Sequence, residues 1–404
     1  MIESIGTYLP TWGTASARSA GPDEDVVTMA VAAGLQALAS ADPDAVRSVV
    51  LISRDLPLLE GGNSAALLAG LGLDSGTGVR EQLGGAPAAL EAVAEAPAAT
   101  LVIGADTTPG AAGAAAVLAS ATGAEISLVS RVNRSLPVVT RDAFGKVTDY
   151  ADPRLLRELG VAVSLEQAGL DGKVAAVAGL GGKEAAALTE GDGPRLPTRG
   201  ASAPLFALAA LAERRDGGAV LGGSVLAVEQ STVALATLAG GPVAVSRDEP
   251  SPQPVAKGRY TSGSDIAISL AAYERAFDAK LGLKAAKCKT CGVLSYPPRY
   301  RCLGCGSEEA TEGVDLPREG EVYTCATVHV PVPGLTTPYS LVLVELGDSG
   351  VRLLVQLTGA PPGSVAIGDR GQLVFRKVAD RSGVPDYGYG FLPLVDRSLA
   401  EVRA

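Results

Sequence analysis

Four of the five cysteines fall within eighteen residues, as two C-x2-C pairs, Cys288/Cys291 and Cys302/Cys305, with ten residues between the pairs. Each pair can place two thiolates on one metal, and two pairs complete a tetrahedral shell. Gly292 and Gly306 each follow the second cysteine of a pair, where a tight turn favours glycine. The pattern predicts two knuckles closing on one metal. Zinc is the metal the spacing calls for, with iron the main alternative, and an intracellular chain favours metal over disulfide. Four thiolates leave no open position for water or substrate, so the expected role is structural. Cys325 reads instead as a buried small apolar residue.

The rest of the chain is as restrictive by omission. Residues 1–287 contain neither Cys nor His, and His329 is the only histidine in 404 residues. Chemistry that needs Cys and His at one site must therefore use His329 or fail. Aromatic residues make up 4% of a chain that is 47% hydrophobic, so Ala, Val, Leu and Gly have to fill the core. The net charge of −10 disfavours nucleic-acid binding, which relies on phosphate neutralisation. No uninterrupted apolar run is long enough for a transmembrane helix. The opening MIESIGTYLP lacks a basic region followed by an apolar one, so a cytoplasmic protein is expected.

Along residues 1–280 short apolar runs alternate with Ala-rich helical stretches, which predicts α/β layering. VRSVVLIS (46–53), ATLVIGAD (99–106) and KVAAVAGL (173–180) read as strands. NSAALLAGLGL (63–73), with Asn63 as N-cap, PAALEAVAEA (87–96) and SAPLFALAALAERR (202–215) read as helices. GAVLGGSVLAVEQSTVALATLA (218–239) reads as paired strands. The recurrence suggests two related halves, near 1–125 and 126–245. Residues 246–263 are polar and Pro-rich, a linker, and 264–283 read as a helix capped by Ser264. Beyond residue 320 four apolar segments with Gly/Pro turns predict a small barrel or sandwich.

Lys280, Lys284, Lys287, Lys289, Arg299 and Arg301 crowd the cysteines, with no acid between 279 and 307. They offset the charge of a four-thiolate metal site, or they form a basic mouth for a phosphorylated ligand such as coenzyme A.

Two resemblances emerge from particular segments. CKTCG, YPPRYRCLGCGS, GEVYTCATVHVPVPG, PYSLVLVELGDSGVRLLVQLTG, IGDRGQLVF and GYGFLPL resemble the zinc-ribbon plus OB-fold proteins called the DUF35 family. That resemblance implies an accessory to a thiolase or 3-hydroxy-3-methylglutaryl-CoA synthase that bridges subunits and helps hold acyl-CoA. IGTYLP, VVLISRDLP, SAALLAGLGL, VREQLGGAPAAL, LVIGADTT, GAAGAAAVLAS and LPTRGASAPLFALAAL resemble the archaeal-type hydroxymethylglutaryl-CoA synthase branch of the thiolase fold. Together these imply a five-layered, pseudo-duplicated thiolase-like domain (1–250), a linker and helix (251–284), a rubredoxin-like zinc ribbon (285–312) and an all-β OB-fold barrel (313–404).

The second resemblance also implies lost chemistry. The family's nucleophilic Cys falls on Leu83, its general-base Glu on Arg54, its His on Ala178 and its Asn on Thr198. Condensation through an acyl-cysteine needs an activated thiolate and an oxyanion stabiliser. The expectation is a non-catalytic subunit that pairs with a catalytic thiolase-like chain, as hetero-oligomer or as homodimer through the thiolase-like domain. Structural Zn2+ and a coenzyme A thioester are its expected ligands, the latter at Lys284, Lys287, Lys289, Arg299 and Arg301. The rival is an enzyme of the thiolase-fold aldolase type, working without Cys through Tyr8, Asp55, Asp106 or Glu229. Against it, Tyr8 reads as strand packing, the two aspartates as turn caps and Glu229 as a solvated acid.

Overall fold

The computed structural model describes residues 1–394 apart from 134–138, 143–145, 150, 151, 153, 155–159, 217, 218, 231, 256, 257, 262–269, 310, 334 and 382. It divides into two compact units, Met1–Ala20 with Met29–Pro252, and Gly21–Thr28 with Gln253–Ala404.

The first unit contains ten strands that matter here. They are β1 (Ile2–Tyr8), β2 (Ser48–Ser53), β3 (Gly78–Leu83), β4 (Thr100–Asp106), β5 (Gly113–Ala119), β6 (Glu125–Val132), β7 (Ala176–Ala178), β8 (Ala219–Glu229), β9 (Thr232–Gly240) and β10 (Ala244–Asp248). Four helices accompany them: α1 (Val26–Leu38), α2 (Ser64–Leu71), α3 (Ala86–Ala94) and α4 (Ala203–Ala212).

One sheet has the order β10-β1-β5-β4-β2-β3, and the other β7-β8-β9-β6. In the first, β2, β3 and β4 are mutually parallel and β5 runs antiparallel to both β4 and β1. The second repeats the central four strands of this plan, without counterparts of the edge strands β3 and β10. There β7 is parallel to β8, and β9 runs antiparallel to β8 and β6. The two halves expected from sequence are therefore two copies of one sheet plan, the thiolase-type layout.

Burial alternates along the strands because both faces of each sheet are covered. Val225 and Ala227 of β8 join Val102 of β4, Leu90 of α3 and Leu208 of α4 in one core. Leu226 and Val228 face the other way and pack with Leu165 and Leu188, on helices Val161–Gln167 and Gly182–Leu188. On the outer side of the first sheet, a Cβ at Gly34 of α1 would meet Leu71 of α2 and Leu101 and Ile103 of β4. The result is five layers, with α3 and α4 in the middle. Helix α4 is apolar on every side, as a helix enclosed between sheets must be.

With few aromatics, the layers close by approaching nearly to backbone contact. A Cβ at Gly6 would lie 2.2 Å from Ala33 O and Ala37 N, and one at Gly104 would lie 2.3 Å from Ala201 O.

Local expectations fail where tertiary pairing overrides them. Asn63 does not cap α2 with its side chain; it bonds Leu58 N and O, and donates to the Glu81 carboxylate. The Ala-rich run 113–119 is a strand because neighbours on both sides supply ladder partners. The first part of the supposed linker, 246–248, belongs to β10, parallel to β1.

In the second unit, helix α5 (Leu270–Lys280) precedes the ribbon; the proposed cap Ser264 lies outside the described residues. The ribbon has three strands, β11 (Lys284–Cys288), β12 (Leu294–Ser295) and β13 (Thr311–Asp315), in the order β12-β11-β13. The barrel follows as β14 (Glu319–Val328), β15 (Tyr339–Leu346), β16 (Arg352–Leu357), β17 (Arg370–Arg381) and β18 (Val384–Pro393). It closes in the order β14-β15-β16-β18-β17, with β17 back on β14. This is the OB-type connection. Val322, Val342, Val344, Leu373, Phe375, Tyr389 and Phe391 are buried, and Phe375 stacks on Tyr387 at 5.4 Å. Arg376 is buried and meets Asp23 at 3.7 Å and Glu24 at 3.5 Å. Among the described residues no helix is long and apolar enough to cross a membrane.

Candidate functional site

The ribbon's two knuckles are built alike. Cys288 O accepts from Gly292 N at 2.9 Å, and Cys302 O from Gly306 N at 3.0 Å. Cys288 N donates to Val293 O and Cys302 N to Ser307 O, at 3.0 and 2.9 Å. Both glycines are left-handed, with φ of 76° and 71°, which explains the residue type at each turn. The four sulfurs lie within 4.8 Å of one another. Cys288 Sγ is 3.8 Å from Cys305 Sγ, and Cys291 Sγ is 3.5 Å from Cys302 Sγ. A tetrahedron with metal–sulfur bonds of about 2.3 Å has edges of about 3.8 Å, so the donor set has the size of one four-thiolate centre. Backbone N–H groups of Cys291 and Thr290 hold the Cys288 thiol down to about 6. The backbone of Cys305 and Gly304 lowers Cys302 too. Both favour the thiolate that a metal needs, whereas Cys291, despite the lowering bond from the Val293 backbone, is crowded by the sulfurs of Cys302, Cys305 and Cys288 and pushed up to about 12.

The basic flank proves less uniform than its sequence. Lys284, Lys287, Lys289, Arg299 and Arg301 are all exposed. Strand β13 lies antiparallel to β11, setting Asp315 opposite Lys284 and Glu312 opposite Lys287. Lys287 Nζ reaches Glu312 at 4.0 Å, and Arg301 Nε reaches Glu308 at 3.7 Å while donating to Gly306 O. The acid-free stretch thus acquires acids from just beyond it.

In the first unit, three of the four positions matched to catalytic residues, Leu83, Arg54 and Ala178, sit at or just beyond strand ends around the head of α3, and the fourth, Thr198, lies in the loop leading into α4. Leu83 ends β3 and is 60% exposed. Gly84 and Gly85 follow, and Gly85 is the N-cap of α3. Arg54 directly follows β2 and pairs with Glu229, the last residue of β8. Ala178 ends β7 and is buried; a Cβ on the next residue, Gly179, would touch Val228 O and Ala86 Cβ. Thr198 is buried, and its hydroxyl lies 2.7 Å from Ser202 Oγ, to which it donates because the one Ser202 proton goes to Asp106.

The acids at these strand ends are engaged. Asp106 accepts from Ala201 N at 2.8 Å, Ser202 N at 2.9 Å and Ser202 Oγ at 2.5 Å, at the start of α4. Burial pushes its carboxyl above the usual range against those bonds. Asp55 accepts from Thr107 Oγ1 at 2.9 Å. Glu229 is no solvated acid: its side chain is 18% exposed. Burial raises its carboxyl, while Arg54 lowers it. Tyr8 is buried inside the sheet, as strand packing required. Sequence reasoning placed Arg54 and Glu229 on separate lists. Only the fold joins them.

Comparison with known proteins separates the two units. Residues 280–311 match the ChsH2 rubredoxin-like zinc ribbon domain, and 313–376 the ChsH2 C-terminal OB-fold domain. A DUF35 domain-containing scaffold protein of Methanocaldococcus jannaschii is 34% identical over 116 residues, 28% of this chain and 82% of that one. Benzoylsuccinyl-CoA thiolase subunit BbsA of Thauera aromatica is 38% identical over 110 residues, 27% of this chain and 74% of that one. The chain belongs to the DUF35 family, through its ribbon and barrel. A solved HMG synthase of the curacin biosynthetic pathway is 15% identical, covering 60% of this chain and 80% of its own, with a TM-score of 0.44. The thiolase-type layout of the first unit is read from its strand orders, and this score adds nothing to it.

Proposed function

We propose that this chain is a non-catalytic subunit of a thiolase-type acyl-CoA complex, holding and orienting an acyl-CoA for a catalytic partner. The observation that carries the reading is the head of α3. Leu83, Arg54 and Ala178, the positions that the resemblance matches to nucleophile, base and histidine, lie around it, and none of the three side chains can form an acyl thioester or serve as a general base. No cysteine or histidine exists in residues 1–287 to replace them. The ribbon and barrel belong to a family whose relatives are named as a scaffold protein and as a thiolase subunit.

The two units would divide the work. Strand β3 is an edge, paired only to β2 among the described residues. An unpaired edge is a place for a second thiolase-type domain to add its own strand. In the ribbon, Cys288, Cys291, Cys302 and Cys305 would hold zinc in a closed shell, fixing the two knuckles without taking part in chemistry. Lys284, Lys289 and Arg299, with Lys287 and Arg301, would meet the phosphates of coenzyme A. Positioning a thioester for another chain's nucleophile lowers the barrier by supplying orientation in advance.

A Cys-independent enzyme is the second reading, favoured by Asp55, Asp106 and Glu229 lying near one another. Against it, the Asp106 carboxylate is already engaged by three donors, and Glu229 by Arg54.

The test is capture of the tagged full chain from its native host, with the co-purifying chains identified. Recovery of a thiolase-like chain that carries its own catalytic cysteine or tyrosine is the expected result. A chain recovered alone that cleaves or condenses acyl-CoA would overturn the proposal.

A further inference from the structure

The Glu229 carboxylate lies over a glycine that leaves it room. A Cβ built on Gly85 would fall 2.0 Å from Glu229 Oε2 and 2.6 Å from both Cδ and Oε1. All three atoms of the carboxylate therefore occupy the volume where any other residue would carry its side chain. Arg54 closes the niche from the end of β2 with a direct ion pair. Gly85 caps a helix whose Ala86, Pro87, Ala89 and Leu90 are buried, so the floor of the niche is fixed by packing. Three separate segments, 54, 85 and 229, converge on one carboxylate.

We infer that this niche is a carboxylate-binding site, occupied by the chain's own Glu229, which excludes an acyl group from this unit. The inference rests on the reading of the first unit as a thiolase-type domain without catalysis, and it explains how the vacated position is filled. The niche discriminates by shape and charge. Glycine admits a planar CO2 group and little more, and the guanidinium selects an anion with two oxygens. A short aliphatic carboxylate is the ligand class that fits once the Glu229 side chain is removed.

The experiment uses the full-length chain and acetate as probe, read by saturation-transfer NMR and by thermal unfolding, with chloride matched for ionic strength. Wild type, E229A, E229Q and the double variant R54A/E229A are compared. Acetate should bind E229A and raise its Tm by about 2–4 °C. It should leave wild type and E229Q, whose niches are filled, and R54A/E229A, which lacks the guanidinium, unchanged. E229S carries the same test should E229A not fold. Acetate acting on all four alike, or on none, would overturn the inference. Either of those results would leave partner capture by the wild-type chain untouched, so the failure of the niche and the failure of the accessory reading are distinguishable.

Discussion

At the residue scale, the ion pair at the head of α3 and the four thiolates make opposite demands. Arg54 is about half exposed and Glu229 mostly buried. Removing the arginine leaves a carboxylate that water reaches poorly, whereas removing the carboxylate leaves a cation that can turn to solvent. Arg54→Ala should therefore cost about 1–2 kcal/mol at neutral pH, measured by urea unfolding. Glu229→Ala should cost less.

The pH dependence has a definite sign. Burial raises the Glu229 and Asp106 carboxyls above their unfolded values, so the folded state binds more protons between the two values. Their contribution to stability is complete below the unfolded carboxyl range, about pH 4, and is lost as pH rises through the raised folded values. The stability of wild type relative to Glu229→Gln should fall as pH rises above the unfolded carboxyl range, about pH 4. A constant or rising difference would contradict this account. For the thiolates, Cys288→Ser or exhaustive chelation should release close to one metal per chain, and the ribbon amides should lose protection from hydrogen exchange.

How much was legible in the sequence follows from how local each feature is. The metal centre was readable in full, because all four donors and both turn glycines lie within residues 288–306. The acids facing Lys284 and Lys287 were not, since Asp315 and Glu312 reach them only through the pairing of β13 with β11. Arg54 and Glu229 lie 175 positions apart in the chain (229 − 54), and no periodic pattern links them. Glu229 reads as solvated from sequence because an isolated carboxylate is usually a surface group, and Arg54 and Gly85, which cover it, are distant in the chain.

At the scale of elements, the Ala- and Gly-rich composition has a mechanical consequence. Where layers touch backbone to backbone, a single methyl has nowhere to go. Gly104 of β4 faces the peptide carbonyl of Ala201, just before α4. Gly104→Ala should force sheet and helix apart and disturb the bonds from Ala201 and Ser202 to Asp106. A loss of about 2–3 kcal/mol is expected, against almost none for Gly182→Ala, where a Cβ meets nothing. Urea midpoints with unchanged slopes would report it. Polarity hid β10 in an apparent linker; it is a strand because β1 supplies its ladder partners.

For the whole molecule, two units carry two kinds of information. The first is two copies of one sheet plan around a buried helix pair, and its sequence holds neither Cys nor His; under the proposed function it orients a ligand and performs no chemistry. The second carries the family signature and the four cysteines placed for one metal. Under the proposed function the basic flank acts only in the assembled complex. Lys284→Glu with Lys289→Glu should then raise the KM for acyl-CoA several-fold with kcat nearly unchanged, the mark of lost uniform binding. Lys183→Glu, an exposed lysine of the first unit, serves as the control for a general charge effect.

The most direct measurement is the turnover of acyl-CoA by the purified chain, by its captured thiolase-like partner, and by the two recombined. The account predicts no activity from this chain alone, little from the partner alone, and full activity on mixing. Turnover by this chain alone, at a rate that mixing does not change, would contradict it.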